Sequence, residues 1–226
     1  MRHAARAATW PAREAGRLLE VLTPIAKSWP SEWCLEANSL AIQVLGGYGY
    51  TRDFPVEQYW RDNRLNMIHE GTHGIQALDL LGRKVVTDGG AGLELLGARI
   101  GATVERARPV EALAAHAEAL ASAWQRLGDA TRSAWASDEP EEALANATPY
   151  LQAFGHVVLA WIWLELALAA QAALDARPDA ARSAFCRGKL QAARYFFHYE
   201  LPKIDAWLGV VAARDATCRA MDEAWF

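Results

Sequence analysis

The sequence predicts an all-α fold, on three observations. Apolar residues recur at helical spacing, as at Ile75, Leu78, Leu81 and Val85. No run of alternating Val, Ile or Thr marks a strand. Glycines and prolines punctuate long alanine-rich stretches, as helix stops and starts do.

In chain order, a first helix is expected over residues 4–20 and a longer one over 24–45, divided near Pro24. Gly46, Gly47 and Gly49 end that helix and open a loop through Asp53, where backbone can approach another group closely. Pro55 suits the first position of a helix carrying VEQYWRDNRL. A break follows at Glu70-Gly71-Thr72, and a further helix starts at Gly74. The glycine-rich stretch 87–92 reads as a linker. Helices are then expected over 93–106, 110–136, 148–174, 179–199 and 203–213, with an acidic connector at 137–143. The second half thus reads as an up-down bundle of about four helices.

Composition excludes several function classes. Hydrophobic residues make up 52% and charged residues 22%, which suits a packed globular protein. Net charge is −4 with no basic run, so no nucleic-acid partner is expected. Cys34, Cys186 and Cys218 are far apart and odd in number, and read as reduced, buried thiols. Residues 157–176 approach the length of a membrane span, but Glu165 sits at their middle. A mid-bilayer carboxylate is costly, so no membrane span is expected. The opening 19 residues are rich in Arg and Ala with no acid before Glu14, as in a mitochondrial transit peptide, yet they lack serine and suit an ordinary helix. Location reads as cytoplasmic, with mitochondrial the alternative.

His69-Glu70-Gly71-Thr72-His73 matches the zinc-protease pattern H-E-x-x-H. That pattern needs both histidines on one continuous helix, and Gly71 with Thr72 weakens the helix between them. No metal site is expected here, and a zinc hydrolase remains the less favoured alternative. His73, His116, His156 and His198 stand isolated in sequence and read as hydrogen-bonded structural histidines.

The wider stretch 41–84 carries three spaced motifs: Gln43-x-x-Gly46-Gly47-x-Gly49-Tyr50, then Arg61-Asp62, then His69-Glu70-Gly71-Thr72. In order and spacing it resembles the C-terminal helical domain of the acyl-CoA dehydrogenase family. Residues 22–86, ending in GIQALDLLGRK, are similar to a subgroup with an extra C-terminal helical domain, and so are residues 146–170 and 185–202. The resemblance implies two units. Residues 1–88 would be the acyl-CoA dehydrogenase C-terminal helical domain, truncated at its N-terminus, and 92–226 the extra bundle.

The resemblance implies that Glu70 is the catalytic base removing the α-proton of an acyl-CoA thioester, while a β-hydride passes to FAD and a trans-2-enoyl-CoA forms. A carboxylate in a dry pocket is the group such chemistry asks for. The Glu70 backbone N–H would donate to the thioester carbonyl, and Gly71 beside it would let substrate come close. Gln43, Gly46, Gly47 and Thr72 match positions that contact FAD. Read without the family, Glu70 is an acid at a helix N-terminus, Gly46 and Gly47 a helix stop, and Thr72 a cap. Family members often carry glutamine where this chain has Gly74, so that contact is not carried over. Arg61 and Asp62 are expected to make ion pairs holding the loop against neighbouring helices. The family's N-terminal helical and middle β-domains have no counterpart in these residues. A homo-oligomer, or a partner chain supplying those domains, is therefore expected, with an electron-transfer flavoprotein as acceptor. The alternative is a noncatalytic helical dimerisation module.

Overall fold

The longest element forms where two were expected. In the computed structural model, which describes residues 12–69, 71–137 and 139–225, helix α1 runs unbroken over Ala12–Leu45, through Pro24 and Pro30. The start of the first expected helix and the transit-like opening lie largely outside the described residues. A proline inside a helix costs about 3 kcal/mol. Burial of Leu18, Val21 and Ile25, each 3% exposed or less, offsets that cost. Hydroxyls also serve carbonyls around the prolines: Thr23 Oγ1 donates to Leu19 O at 2.6 Å, and Ser31 Oγ to Ser28 O at 2.8 Å.

Gly46 stops α1 in the left-handed region, φ 60°. The turn Gly46–Tyr50 leads through Pro55 to α2, Val56–Asn63, and a turn Arg64–Met67 follows. Helix α3, His73–Asp79, starts one residue before the expected Gly74 and continues as a wider turn over Leu80–Lys84. The glycine-rich stretch is a tight left-handed turn rather than a freely rotating linker. Asp88, Gly89 and Gly90 have φ of 53°, 66° and 86°, and Arg17 of α1 pairs with Asp88 at 3.2 Å.

Beyond it come α4 (Ala91–Ala107), α5 (Ala114–Ala134), α6 (Pro140–Leu144), α7 (Ala147–Asp175), α8 (Ala180–Tyr195) and α9 (Ile204–Ala212). The acidic connector thus holds the short helix α6, begun by Pro140; its Asp138 lies outside the described residues. Asp179 caps α8 by accepting from Arg182 N at 2.8 Å. No strand occurs among the described residues.

Helix α7 packs against α1, α3, α4, α5, α8 and α9. It is long and apolar enough to cross a membrane by length and composition. Its one acid within residues 147–174 is served from α4: Thr103 Oγ1 donates to Glu165 Oε1 at 2.5 Å, and Arg106 pairs with the same oxygen. Elements before and after the glycine-rich turn share a single core, from Leu18 and Leu80 to Leu120, Phe154 and Ile204. Close approach at the seam relies on small residues. An ideal Cβ on Gly92 of α4 would lie 2.7 Å from Val21 of α1. Tyr150, fully buried, shares a 2.7 Å hydrogen bond with Thr131, and burial pushes its hydroxyl pKa up. All three cysteines are free, but only Cys186 is buried. Cys34 and Cys218 are exposed, so the expectation of three buried thiols fails for two of them.

Candidate active site

The site residues named from sequence fall at two helix ends. Gln43 lies in the last turn of α1, exposed, with Gly46 and Gly47 just beyond it, also exposed. These glycines differ in what the fold asks of them. Gly46 needs its positive φ to end the helix. Gly49 is buried, and an ideal Cβ there would sit 2.6 Å from Ile42 O. Gly47 has neither constraint, since nothing lies within 4 Å of where its Cβ would be.

The second end is the head of α3. Glu70 itself lies outside the described residues, and its neighbours on the C-terminal side are Gly71 and Thr72. Gly71 has φ 95°, which favours glycine, while an ideal Cβ there would meet only the movable end of a side chain, Gln76 Nε2, at 2.8 Å. Thr72 occupies the N-cap position with extended backbone (φ −70°, ψ 164°) and makes no side-chain cap hydrogen bond. Its hydroxyl is exposed and spends nothing on the helix it precedes.

His73, the next residue, turns inward. Its Nδ1 lies 2.5 Å from Ser28 Oγ of α1, and its Nε2 3.9 Å from Glu32 Oε2 one turn further along that helix. The Ser28 hydroxyl can donate to Nδ1, whereas Nε2 faces the carboxylate without a hydrogen bond among the described residues. Gln152 of α7 donates through Nε2 to the same Glu32 oxygen, and Gln152 Oε1 accepts from Trp33 Nε1 at 3.4 Å.

A second buried polar centre lies nearby. His156 of α7 is boxed by Trp29, Trp33, Phe196 and Trp207. His156 Nδ1 lies between one donor and one acceptor, Trp29 Nε1 at 2.9 Å and the Gln152 carbonyl oxygen at 3.0 Å, while Nε2 lies 3.7 Å from Glu200. Burial pushes this histidine's pKa down to about 4.

The zinc alternative lacks its geometry. His69 sits in a turn before the break and His73 opens α3, so the two are not on one helix. Among the described residues no group of three His, Cys, Asp or Glu could hold a metal. Arg61 and Asp62 also differ from expectation. Arg61 pairs with Glu57 at 2.8 Å and Asp62 accepts from Gln58 at 3.4 Å, both within α2 rather than toward the loop. The Arg61 guanidinium lowers the Glu57 pKa.

The sequence that forms the glycine-rich turn after α1 and places Gly71 and Thr72 at the head of α3 has known relatives. Residues 1–85 match the family described as acyl-CoA dehydrogenase, C-terminal domain, and residues 96–222 the one described as acetyl-CoA dehydrogenase C-terminal like. The chain belongs to the acyl-CoA dehydrogenase family.

Among its relatives, the 3-methylmercaptopropionyl-CoA dehydrogenase of Ruegeria pomeroyi is 35% identical over 202 residues, covering 85% of this chain and 33% of the relative. The broad-specificity linear acyl-CoA dehydrogenase FadE5 of Mycobacterium tuberculosis is 29% identical over 225 residues, 95% of this chain and 36% of the relative. The butyryl-CoA dehydrogenase of Syntrophomonas wolfei is 27% identical over 207 residues, 90% of this chain and 34% of the relative. The chain spans about a third of the length of these relatives.

Sequence reasoning found the turn residues and missed what stands behind them. His73 and His156 are hydrogen-bonded, as expected of structural histidines, but their partners lie 45 and 127 residues away. The available signal was spacing on one helix: Ser28 with Glu32, and Trp29 with Trp33, each one turn apart.

Proposed function

We propose that this chain supplies the proton-abstracting side of an FAD-dependent acyl-CoA dehydrogenase, with Glu70 as the base. The Glu70 carboxylate takes the α-proton of a bound acyl-CoA thioester. The pair of electrons in a β-C–H bond leaves as hydride, the α,β double bond forms, and the product is the trans-2-enoyl-CoA. FAD, when bound, supplies the hydride acceptor. The Glu70 backbone N–H donates to the thioester carbonyl oxygen and steadies the negative charge that develops there. Gly71 removes the side chain that would crowd the thioester.

The observation that carries this reading is the head of α3. A glycine at φ 95° stands in the sequence between Glu70 and an N-cap threonine whose hydroxyl caps nothing. A threonine kept only for the helix would bond a first-turn N–H. Thr72 is instead free to meet a ligand, and the reading assigns it to flavin. Gly47 supports FAD in the same way, because nothing among the described residues asks for glycine there. Gln43, Gly46 and Gly47 are exposed and able to meet a cofactor's adenosine or pyrophosphate end.

Val44, Tyr48, Tyr50, Ile68 and Ile75 surround these ends, exposed by 53% or more. Such a concentration of exposed apolar side chains favours a covering protein surface. We assign that surface to a second copy or to a chain carrying the flavin-binding domains, with an electron-transfer flavoprotein reoxidising the flavin. The same observation also suits the second reading, a noncatalytic dimerisation module. Free thiols at Cys34, Cys186 and Cys218 suit a reducing compartment, taken here as the cytoplasm.

The test is reconstitution. The chain is joined to the part of the Ruegeria pomeroyi relative that it does not cover, FAD is added, and acyl-CoA-dependent reduction of an electron acceptor is measured. The assembled protein should hold flavin and turn over, and Glu70→Gln should abolish turnover while flavin stays bound. Turnover that survives Glu70→Gln would remove Glu70 as the base. A stable assembly that never binds flavin would favour the dimerisation module.

A further inference from the structure

We propose that His73 is a positioning residue for the turn that carries Glu70, and that Glu32 and Gln152 tie this turn to the helices beyond residue 92. The proposal rests on the assignment of Glu70 as base and gives the C-terminal helices a part in the reaction.

Polar side chains of three helices meet here, and one of the steps between them, His73 to Glu32, is a 3.9 Å approach rather than a hydrogen bond. His73 opens α3, three residues after Glu70. Its ring is held on one side by Ser28 at 2.5 Å and faces Glu32 Oε2 at 3.9 Å on the other. Gln152 of α7 donates to that same oxygen and is itself held by Trp33. One carboxylate thus stands between α7 and the first residue of α3, hydrogen-bonded by Gln152 and 3.9 Å from the His73 ring.

Serine, histidine and glutamate in a row would suit nucleophilic catalysis if the serine met solvent. Ser28 is 1% exposed, on the inner face of α1, so no substrate reaches its hydroxyl. The row can hold a ring in place; it cannot attack.

Why the turn needs holding follows from Gly71. At φ 95° its backbone takes a conformation that glycine adopts and leaves easily. An anchored residue just past it restricts that freedom. Proton abstraction demands a near-attack geometry, and a misplacement of about 1 Å can cost roughly 100-fold in rate. Anchoring His73 limits such displacement without any contact to substrate.

Glu32 is one-third exposed, so Gln152→Leu leaves its carboxylate hydrated rather than stranded, and the variant should fold. Two readouts test the proposal. In the full chain, amide hydrogen exchange should quicken at residues 73–77 in Gln152→Leu and in His73→Leu, with α9 unchanged. His73→Asn, whose side-chain oxygen can still accept from Ser28, should stay close to the parent. In the flavin-loaded assembly, kcat should fall about 10-fold to 100-fold in the two leucine variants, with KM for acyl-CoA changed far less.

Parent-like exchange and parent-like kcat in both leucine variants would overturn the proposal. Glu70→Gln in the same assembly keeps the two ideas apart. If it is inactive while the leucine variants are not, only the positioning role falls. If it stays active, the base assignment falls, and exchange at 73–77 alone decides whether Gln152 braces the turn.

Discussion

The indole of Trp29 occupies the space that a side chain on Gly155 would need: an ideal Cβ there would collide with Trp29 Cδ1. The indole cannot easily withdraw, because its Nε1 donates to His156 and its ring packs against Trp33. Gly155→Ala should therefore cost about 1–3 kcal/mol, the usual range for overpacking a core. The urea midpoint should drop with an unchanged slope. Trp29→Phe in the same chain should recover part of the loss, a coupling that a double-mutant cycle reads. Purely additive losses would mean that α1 and α7 do not meet through this pair.

The histidine beside that indole makes stability depend on pH. In the unfolded chain a histidine takes up its proton near its ordinary 6.5, whereas folded His156 stays neutral down to about 4. Between those values the unfolded state binds more protons, so stability falls as pH drops from 6.5 to 4. The slope is at most about 1.4 kcal/mol per pH unit. His156→Asn keeps an acceptor for the Trp29 N–H and has no proton to take up in this window. Comparing urea midpoints at the two ends should show a steep loss in the parent and a shallower one in the variant. Equal slopes would move the effect to other groups, with Glu200 and Lys203 the nearest.

Thr72 separates a folding role from a ligand role. Its hydroxyl makes no cap hydrogen bond, and its extended backbone suits a β-branched residue. Thr72→Val should leave the stability of the chain within about 0.5 kcal/mol of the parent. In the reconstituted assembly the same change should lower flavin occupancy, read from visible absorbance. A stability loss without a flavin effect would return Thr72 to a capping role.

These sites show which parts of the molecule are written locally. The stop at Gly46, the cap at Asp179 and the break before Thr72 each depend on neighbours a few residues away, so their chemistry is visible in sequence. Helix α1 is the opposite case. Pro24 and Pro30 argue for breaks, and only burial of Leu18, Val21 and Ile25 against other helices overrides them. The support behind the turn is less legible still. Gln152 meets Glu32 across 120 residues, and neither shows by its type or spacing which partner it will find. Exposure of Cys34 is equally a product of packing, since a lone cysteine in a helix carries no sign of which face it occupies.

The turn after α1 sharpens the distinction between fold and function, because its glycines predict different outcomes. Gly49→Ala would drive a methyl toward the Ile42 carbonyl at 2.6 Å, backbone that cannot step aside, and should cost roughly 1–3 kcal/mol. Gly46→Ala has open space but a φ of 60°, so it should cost about 1–2 kcal/mol in backbone strain. Gly47→Ala has open space and no positive φ, and should change stability by less than about 0.5 kcal/mol. If the exposed turn meets FAD, only this last variant isolates that contact, since its stability is preserved. It should assemble normally and hold less flavin than the parent. Full flavin occupancy in the Gly47→Ala assembly would show that the cofactor does not need this backbone bare, and would assign the turn to a protein surface instead.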